Sequence, residues 1–395
     1  MSPEDRPDRL RIVMGCDTFA PDVNGAARFA ERLAAGLVER GHEVHIVAPG
    51  LSQRRVPPAV ELIEGQAMTV HRLPAVRWKP HDWLRFVWPW RAKHHARRVL
   101  SAVSPDAVHI QSHIVIGRGL SRIAKQRGIP VIATNHVMAE NILDFTTMPP
   151  LVDRLVLKLA WGDAERTFKI ARAVTTPTRR AADFLERTVD VRGVIPISCG
   201  IDRSNYRPDP GPRAQRRMLF VGRLTSEKRV DVTLRALARL DPGLDVHLDV
   251  VGGGDQANHL EQLTKRLGLQ GRVVFHGRVS EDRLVDLYRR ASVFVIASIA
   301  ELQSIATLEA MASGLPIVAA DAVALPHLVR NGVNGYLFEP DNDAELARRL
   351  DALLSAPHDE WLRMQQASLE GVRAHDITRT LDTFEALYRG EAIPE

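Results

Sequence analysis

ASIAELQSIATLEAMASGLPIVAAD, residues 297–321, decides how the rest of the chain is read. It leaves the apolar run VFVIAS, crosses a loop carrying Glu301, enters strong helix formers around Glu309 and ends in a second apolar run, PIVAAD. Strand, loop, helix and strand in that order make a βαβ unit with parallel strands, and such units present ligands at the loops that leave the strands. Glu301 and Glu309 stand eight positions apart, roughly two helical turns. A helix starting soon after Glu301 would aim the N–H groups of Leu302, Gln303, Ser304 and Ile305 at that sheet edge. Unpaired amides and the helix dipole suit phosphate oxygens there. Glu309 would lie on the same side, within reach of hydroxyl groups.

Outward from this unit, MLFVGRL, LDVHLDVVGGG and RVVFHGRV read as further strands, and VDVTLRALARL, ANHLEQLTKRLG and SEDRLVDLYRRA as the helices between them. In VGRLTSEKRVD, Arg223 and Lys228 directly follow an apolar strand. An Arg forks two phosphate oxygens and a Lys adds a point charge, so the pair can stabilise a departing diphosphate without a metal. Alone, such a pair more often makes a surface salt bridge; together with the glutamates it points to phosphate. Gly252, Gly253 and Gly254 leave two readings open, a phosphate loop or a tight exit from the strand.

Toward the N-terminus the same alternation appears. RIVMGCDTF is a strand, AARFAERLAAGLVERGHE has helical spacing, and EVHIVAP, TVHRLP, AVHIQS, VIATNH and AVTTPT supply more strands. A chain of 395 residues exceeds one ordinary core. The turn-rich PISCGIDRSNYRPDPGPRAQRR puts a linker near 200–215. The expected division is 1–200, 201–375 and a closing helix within 376–395 that could pack back on the first domain. Each domain reads as Rossmann-like α/β.

Bulk features exclude some classes. Two cysteines, Cys16 and Cys199, give neither a disulfide framework nor a thiolate metal cluster, and point to a reducing cytoplasm. The charged opening MSPEDRPDRLRIVMG lacks an export signal, and no run approaches the length needed to span a bilayer. Residues 1–200 carry a net charge of +9 and residues 201–395 one of −4, so an anionic partner would meet the first half. RWKPHDWLRFVWPWRAKHHARRVL, Arg77 to Leu100, gathers Trp78, Trp83, Trp88 and Trp90 among seven Lys/Arg. That mixture suits a lipid headgroup interface, and equally an acceptor-side wall with a basic rim. Pro80 and Pro89 argue for a loop followed by a basic helix, Ala92 to Leu100. No recognised nucleic-acid-binding motif accompanies the patch, so nucleic acid is not expected.

GRLTSEK, VVGGGD, FHGRV and ELQSIATLEAMASGLPIVAAD, in this order and spacing, resemble the retaining GT-B glycosyltransferases of family four. The resemblance spans nearly the whole chain. It implies a GT-B fold, α/β, with two facing Rossmann-like domains and an interdomain cleft. It further implies a nucleotide-sugar donor, UDP- or GDP-linked, held by the second domain, an acceptor held by the first, and no metal or other cofactor. On this resemblance Glu309 bonds the ribose, Arg223 and Lys228 the pyrophosphate, and Glu301 with the amides of Leu302, Gln303, Ser304 and Ile305 the transferred sugar and phosphate. Backbone near His276, Gly277 and Arg278 meets the base, and Gly253 lies in the glycine loop. Relatives carry Phe-Gly where this chain has Leu302-Gln303, which makes Gln303 a candidate sugar contact.

In the first domain, PDVNGAARF resembles the family's glycine-bearing loop, with Gly25 the close contact; a plain turn at Asn24-Gly25 is the alternative. His136 stands just past a strand end, and the resemblance makes it a catalytic residue that binds the sugar. HVMAEN is similar to a segment of glucosyl-diacylglycerol synthases, with Val137 and Ala139 departing from it. It favours UDP-glucose, with GDP-mannose close behind, and a lipid acceptor such as diacylglycerol or a phosphatidylinositol-type lipid. A soluble glycan acceptor stays open. Membrane contact would then be peripheral, on the inner face. His109 and His113 lie four apart on or near a strand, about 13 Å along it, too far for one metal. A sugar-nucleotide epimerase shares this architecture and is the second enzyme reading; a binding module without catalysis is the third.

Overall fold

A computed structural model describes residues 9–22, 24–77, 85–136, 150–213 and 215–393, without the side chains of 150–157. Val23, Trp78, Trp83 and the 137–141 part of HVMAEN lie outside the described residues. The chain divides into two units, Met1–Ser198 with Thr378–Glu395, and Cys199–Ile377. The closing helix Ile377–Arg389 thus belongs almost wholly to the first.

The first unit contains β1 (Arg11–Gly15), β2 (Glu43–Pro49), β3 (Ala59–Ile63), β4 (Gln66–Leu73), the short pair β5 (Ala75–Arg77) and β6 (Arg85–Val87), β7 (Ala107–Ile110), β8 (Val131–Thr134), β9 (Ala173–Thr176) and β10 (Ile195–Pro196). Eight of these form one sheet, ordered β10-β9-β8-β7-β1-β2-β4-β3. β7, β8 and β9 are buried throughout, as strands covered by helices on both faces must be. The chain builds outward from β1 to β2 and β4 on one side and to β7, β8 and β9 on the other. The reversal falls between β1 and β7, the place in an open α/β sheet where ligands bind.

β3 and β4 are antiparallel, joined by Glu64 and Gly65, both at positive φ (48° and 78°). Two successive left-handed residues make the turn that matches strand twist. Glu-Gly announces such a turn less strongly than Asn-Gly, and β3 was not legible in the sequence. The basic helix is also longer than expected, Pro89–Val103 rather than Ala92 to Leu100. Pro89 occupies its first turn, where a missing N–H removes no hydrogen bond and the fixed φ favours the start.

The second unit holds β11 (Arg216–Val221), β12 (Val246–Val251), β13 (Val273–Gly277), β14 (Val293–Ile296), β15 (Ile317–Ala320) and β16 (Gly335–Phe338). They are parallel, in the order β13-β12-β11-β14-β15-β16, with the reversal between β11 and β14. Its core includes Phe220, Leu234, Leu248, Phe294, Leu308 and Ile317, all fully buried. No helix among the described residues is long and apolar enough to cross a membrane.

Of the three glycines after β12, Gly252 and Gly254 are required by packing. The Gly222 N–H donates to Val251 O (3.0 Å) and Leu224 N–H to Gly253 O (3.0 Å), which lays the loops after β11 and β12 against each other. A Cβ on Gly252, at φ 125°, would come within 1.9 Å of Gly222 O, and one on Gly254 within 2.2 Å of Leu224 O. Around Gly253 there is open space. Gly252→Ala is expected to destabilise the second unit by about 3 kcal/mol through clash and left-handed strain. A urea titration checks this by its midpoint, and an unchanged midpoint would show that the loop relaxes freely.

Candidate functional site

In the second unit Arg223, Lys228, Glu301 and the start of the following helix lie on the loops at the reversal between β11 and β14, while Gly253 follows β12 and Gly277 and Arg278 stand at the end of β13. The loop leaving β11 carries Arg223, then a 3₁₀ turn over Ser226–Lys228; the loop leaving β14 carries Glu301 and runs to the helix Ile305–Ala312. Lys228 Nζ donates to Glu301 Oε1 at 2.5 Å, across 73 positions of sequence. Both side chains are largely covered, 15% and 10% exposed, which strengthens their attraction over that of a surface pair. The same loops are tied through backbone, Ile299 N–H to Glu227 O at 3.0 Å. Arg223 Nη2 lies 3.6 Å from Glu227 Oε1, which also accepts from Thr225 Oγ1 at 2.7 Å. Glu227 therefore holds Arg223 and Thr225 within the loop that carries Lys228.

The helix begins four residues after Glu301, and this changes the expected phosphate cradle. Ser304 is its N-cap, in extended conformation, with Oγ accepting from Thr307 N–H (3.2 Å). Leu302 and Gln303 consequently lie in the loop, and of the four expected amides only that of Ile305 is helical. An α-helix leaves its first amides without an intrahelical acceptor, so the open donors start at Ile305 and Ala306. Glu301, outside the helix, shares no helical face with Glu309; the eight-position spacing does not relate them.

Glu309 is buried, and its Oε2 lies 3.0 Å from Tyr288 Oη, which is also 3.1 Å from Ala306 O. A buried carboxylate needs such partners. The amide of Gln303 is turned inward: Oε1 accepts from Cys199 N–H at 2.7 Å and Nε2 lies 3.5 Å from His375 Nδ1. Its side chain ties together parts of its own unit, while the backbone of Leu302 and Ser304 stays in the loop. Gly277 adopts φ 63° beside exposed Arg278, and its carbonyl accepts from Gly252 N–H at 2.8 Å. His276 Nε2 is 2.7 Å from Asp249 Oδ1, and Arg217 reaches Asp249 Oδ2 at 3.0 Å, so His276 is anchored beneath its strand end.

In the first unit the reversal between β1 and β7 gathers a second set. Asn24 is the N-cap of the helix Gly25–Glu39, its side chain accepting from Ala27 N–H at 2.9 Å. Gly25 is the first helical residue, exposed, and a Cβ there would meet no other atom. The Asn-Gly pair is a helix start, and the chain's own packing does not require the glycine. Asp17, just past β1, accepts from Val115 and Ile116 N–H (3.2 and 2.9 Å) and from Ser112 Oγ, capping the helix Ile116–Gln126 from another loop. Burial raises its pKa against those hydrogen bonds.

His136 follows β8, its Nε2 3.0 Å from Gln111 Oε1 and its ring 4.9 Å from that of Phe29. Gln111 Nε2 stands 3.4 Å from His109, whose Nδ1 meets Tyr388 Oη and whose Nε2 meets Thr134 Oγ1, both at 2.7 Å. The closing helix thereby supplies Tyr388 to a buried polar chain that ends at His136. Sequence reading missed Gln111 and Tyr388, since neither spacing nor motif marks a residue that acts through another. His113 is buried against Trp161 and Phe168, with Nδ1 lacking a hydrogen-bond partner among the described residues. No group of three metal-binding side chains occurs among the described residues.

Burial lowers the pKa of His136 and His113 to about 4 and of His109 to about 3. All three are neutral at pH 7. An unfolded His takes its proton near pH 6.5, so stability present above that value is lost as pH falls toward the folded values. At pH 5 each deeply buried ring, His109 and His113, costs roughly 2 kcal/mol relative to pH 7.5. Hydrogen exchange of β7 and β8 is expected to quicken over this window beyond the intrinsic pH effect; protection independent of pH would contradict the buried neutral rings.

Residues 23–205 match the family model described as Glycosyltransferase Family 4, and residues 202–369 the one described as Glycosyl transferases group 1. The chain is 30% identical over 366 residues to a D-inositol 3-phosphate glycosyltransferase of Acidothermus cellulolyticus, covering 84% of this chain and 78% of that protein. It belongs to the family 4, group 1 glycosyltransferases. A GDP-mannose-dependent alpha-mannosyltransferase of Corynebacterium glutamicum is 27% identical, over 85% of this chain and 77% of that one. Among solved structures, a sucrose-phosphate synthase from Thermosynechococcus elongatus superposes with a TM-score of 0.80 at 18% identity, covering 96% and 98% of the two chains. The fold is GT-B, as the sequence implied, and the protein is an enzyme of sugar transfer. In this glycosyltransferase each reversal of strand order carries candidate residues.

Proposed function

We propose that this glycosyltransferase moves a hexose, glucose or mannose, from a UDP- or GDP-sugar to an acceptor hydroxyl, with retention and without a metal ion. The observation that carries the reading is the largely covered Lys228–Glu301 pair, 2.5 Å apart at the reversal between β11 and β14. A cation placed there, with Arg223 near it and the first amides of Ile305–Ala312, suits the oxygens of a diphosphate. In this reading Glu301, which holds Lys228, meets sugar hydroxyls, and Glu309 meets the ribose.

The step breaks the bond from the anomeric carbon to the phosphate oxygen and forms one to the acceptor oxygen on the same face. The acceptor proton passes to a donor phosphate oxygen, and the nucleoside diphosphate leaves with the electron pair. Lys228, Arg223 and the helix amides stabilise the charge that grows on it. Neutral His136, held by Gln111, offers a ring N–H or lone pair to the sugar without adding charge. The relatives' names weigh toward GDP-mannose, the HVMAEN string toward UDP-glucose.

For the acceptor we propose a membrane lipid of the glycerolipid or phosphatidylinositol class, met at the inner leaflet. Trp88 and Trp90 support it: they are exposed and stacked, rings 4.9 Å apart, at the start of the basic helix Pro89–Val103. A donor panel in EDTA, scored by nucleotide release with and without lipid acceptors, tests the reading. Release that rises with a lipid acceptor and one hexose donor is expected. Donor isomerisation without transfer would favour the epimerase, and strict metal dependence would remove the proposed leaving-group chemistry.

A further inference from the structure

In the first unit, two segments distant in sequence converge on a basic cavity of about 360 Å³. The loop between β2 and β3 contributes Gln53 and Arg55; the first turns of Pro89–Val103 contribute Trp90, Arg91, His94 and His95; Pro74 closes the floor. The loop is held in place by its backbone. Gly50 N–H donates to Leu73 O at 2.6 Å and Ala75 N–H to Ser52 O at 3.1 Å, which fixes the chain on both sides of Pro74. Arg85 Nη1 also reaches Leu51 O at 3.4 Å.

None of the residues lining the cavity is acidic, and neither Arg55 nor Arg91 has a carboxylate within ion-pair distance among the described residues. The pKa of His95 is lowered first by burial and then by His94, Arg55 and Arg91, all in the same direction, as expected where only positive groups face one another. Like charges gathered in a fixed cavity repel unless an anion joins them. Two guanidinium groups and two imidazoles suit a phosphate, and the Trp90 ring, 65% exposed, gives an apolar wall for what the phosphate carries.

We propose that this cavity binds a phosphate ester, gripped by Arg55 and Arg91 with His94 and His95, its organic part against Trp90. Its lining residues belong to the first unit and the donor residues to the second. It rests on the membrane reading above only for the source of the ligand, a lipid headgroup as against a soluble phosphate ester.

The full chain is titrated with glycerol 3-phosphate and with neutral glycerol, followed through the His94 and His95 ring resonances and by calorimetry. Saturable one-to-one binding of glycerol 3-phosphate alone is expected, weakened at least about tenfold in Arg55→Gln and in Arg91→Gln. Lys228→Ala should leave it unchanged, which separates this cavity from the donor site, and both arginine variants should keep their melting temperature and UDP or GDP binding. Phosphatidylcholine vesicles doped with phosphatidic acid identify the source. If they bind and glycerol 3-phosphate displaces them, the ligand is a headgroup. If only the soluble ester binds, the cavity stands and the membrane reading falls. No saturable binding, equal binding by the arginine variants, or vesicle binding that glycerol 3-phosphate cannot displace would overturn the proposal.

Discussion

Lys228→Ala is expected to lower kcat/KM for transfer by about a thousandfold, with most of the loss in kcat. The ammonium group is held by Glu301 at 2.5 Å before any donor arrives, so little ordering remains to be done when charge develops on the diphosphate. Removing it also strands Glu301, a carboxylate only 10% exposed, which then lacks the partner that made its burial tolerable. Two effects are therefore mixed in the alanine variant. Lys228→Arg separates them: it restores a cation to Glu301 but spreads the charge over a planar fork, and recovery of stability with only partial recovery of rate is expected. A rate within threefold of the parent enzyme for Lys228→Ala would place the leaving group elsewhere.

Glu309→Ala should act differently, raising KM for the donor by about 10- to 100-fold, because a hydrogen bond from a hydroxyl to a carboxylate is worth about 1.5–3 kcal/mol. Its carboxylate oxygen sits 3.0 Å from Tyr288 Oη, so the substitution also removes a buried internal bond. Tyr288→Phe is the control. It deletes the internal contact and keeps the carboxylate, and its donor KM should move far less than that of Glu309→Ala. Equal shifts in the two variants would mean that Glu309 serves the fold and not the ribose.

The comparison of Glu301 with Glu309 also shows where sequence reading reached its limit. The strands on either side were legible because apolar runs of four to eight residues bounded by turn residues carry their own signature. The order of elements then gave the doubly wound pattern, and with it the loops where ligands sit. The start of the helix was not legible from spacing alone. Ser304 decides it, as an N-cap that takes Thr307 N–H, and Ser-Ile-Ala-Thr offers no capping acid to distinguish this from a start at Glu301. Gln303 shows a further limit. Its place where relatives carry Phe-Gly makes it a candidate sugar contact, while its amide meets Cys199 N–H and lies near His375, about 100 and 70 positions away along the chain. Such long-range partners have no period to reveal them. Gln111 and Tyr388 escaped notice for the same reason, although each end of the chain that positions His136 is set by one of them.

The histidines form a clearer case. His109 and His113 share a four-residue spacing that on a helix would suggest a metal pair, and strand geometry separates them. His109 lies with Tyr388 and Thr134, His113 with Trp161 and Phe168. Both are neutral core residues whose protonation is opposed by burial, and their effect is on acid stability.

A crystal structure of the enzyme grown in EDTA with UDP or GDP is the most direct test of the central claim. The diphosphate is expected within hydrogen-bonding distance of Lys228 Nζ and of the first amides of the helix Ile305–Ala312, with the ribose hydroxyls at Glu309 and no metal between them. A diphosphate bound away from the loops that follow β11 and β14, or one seen only when a divalent cation is supplied, would contradict it.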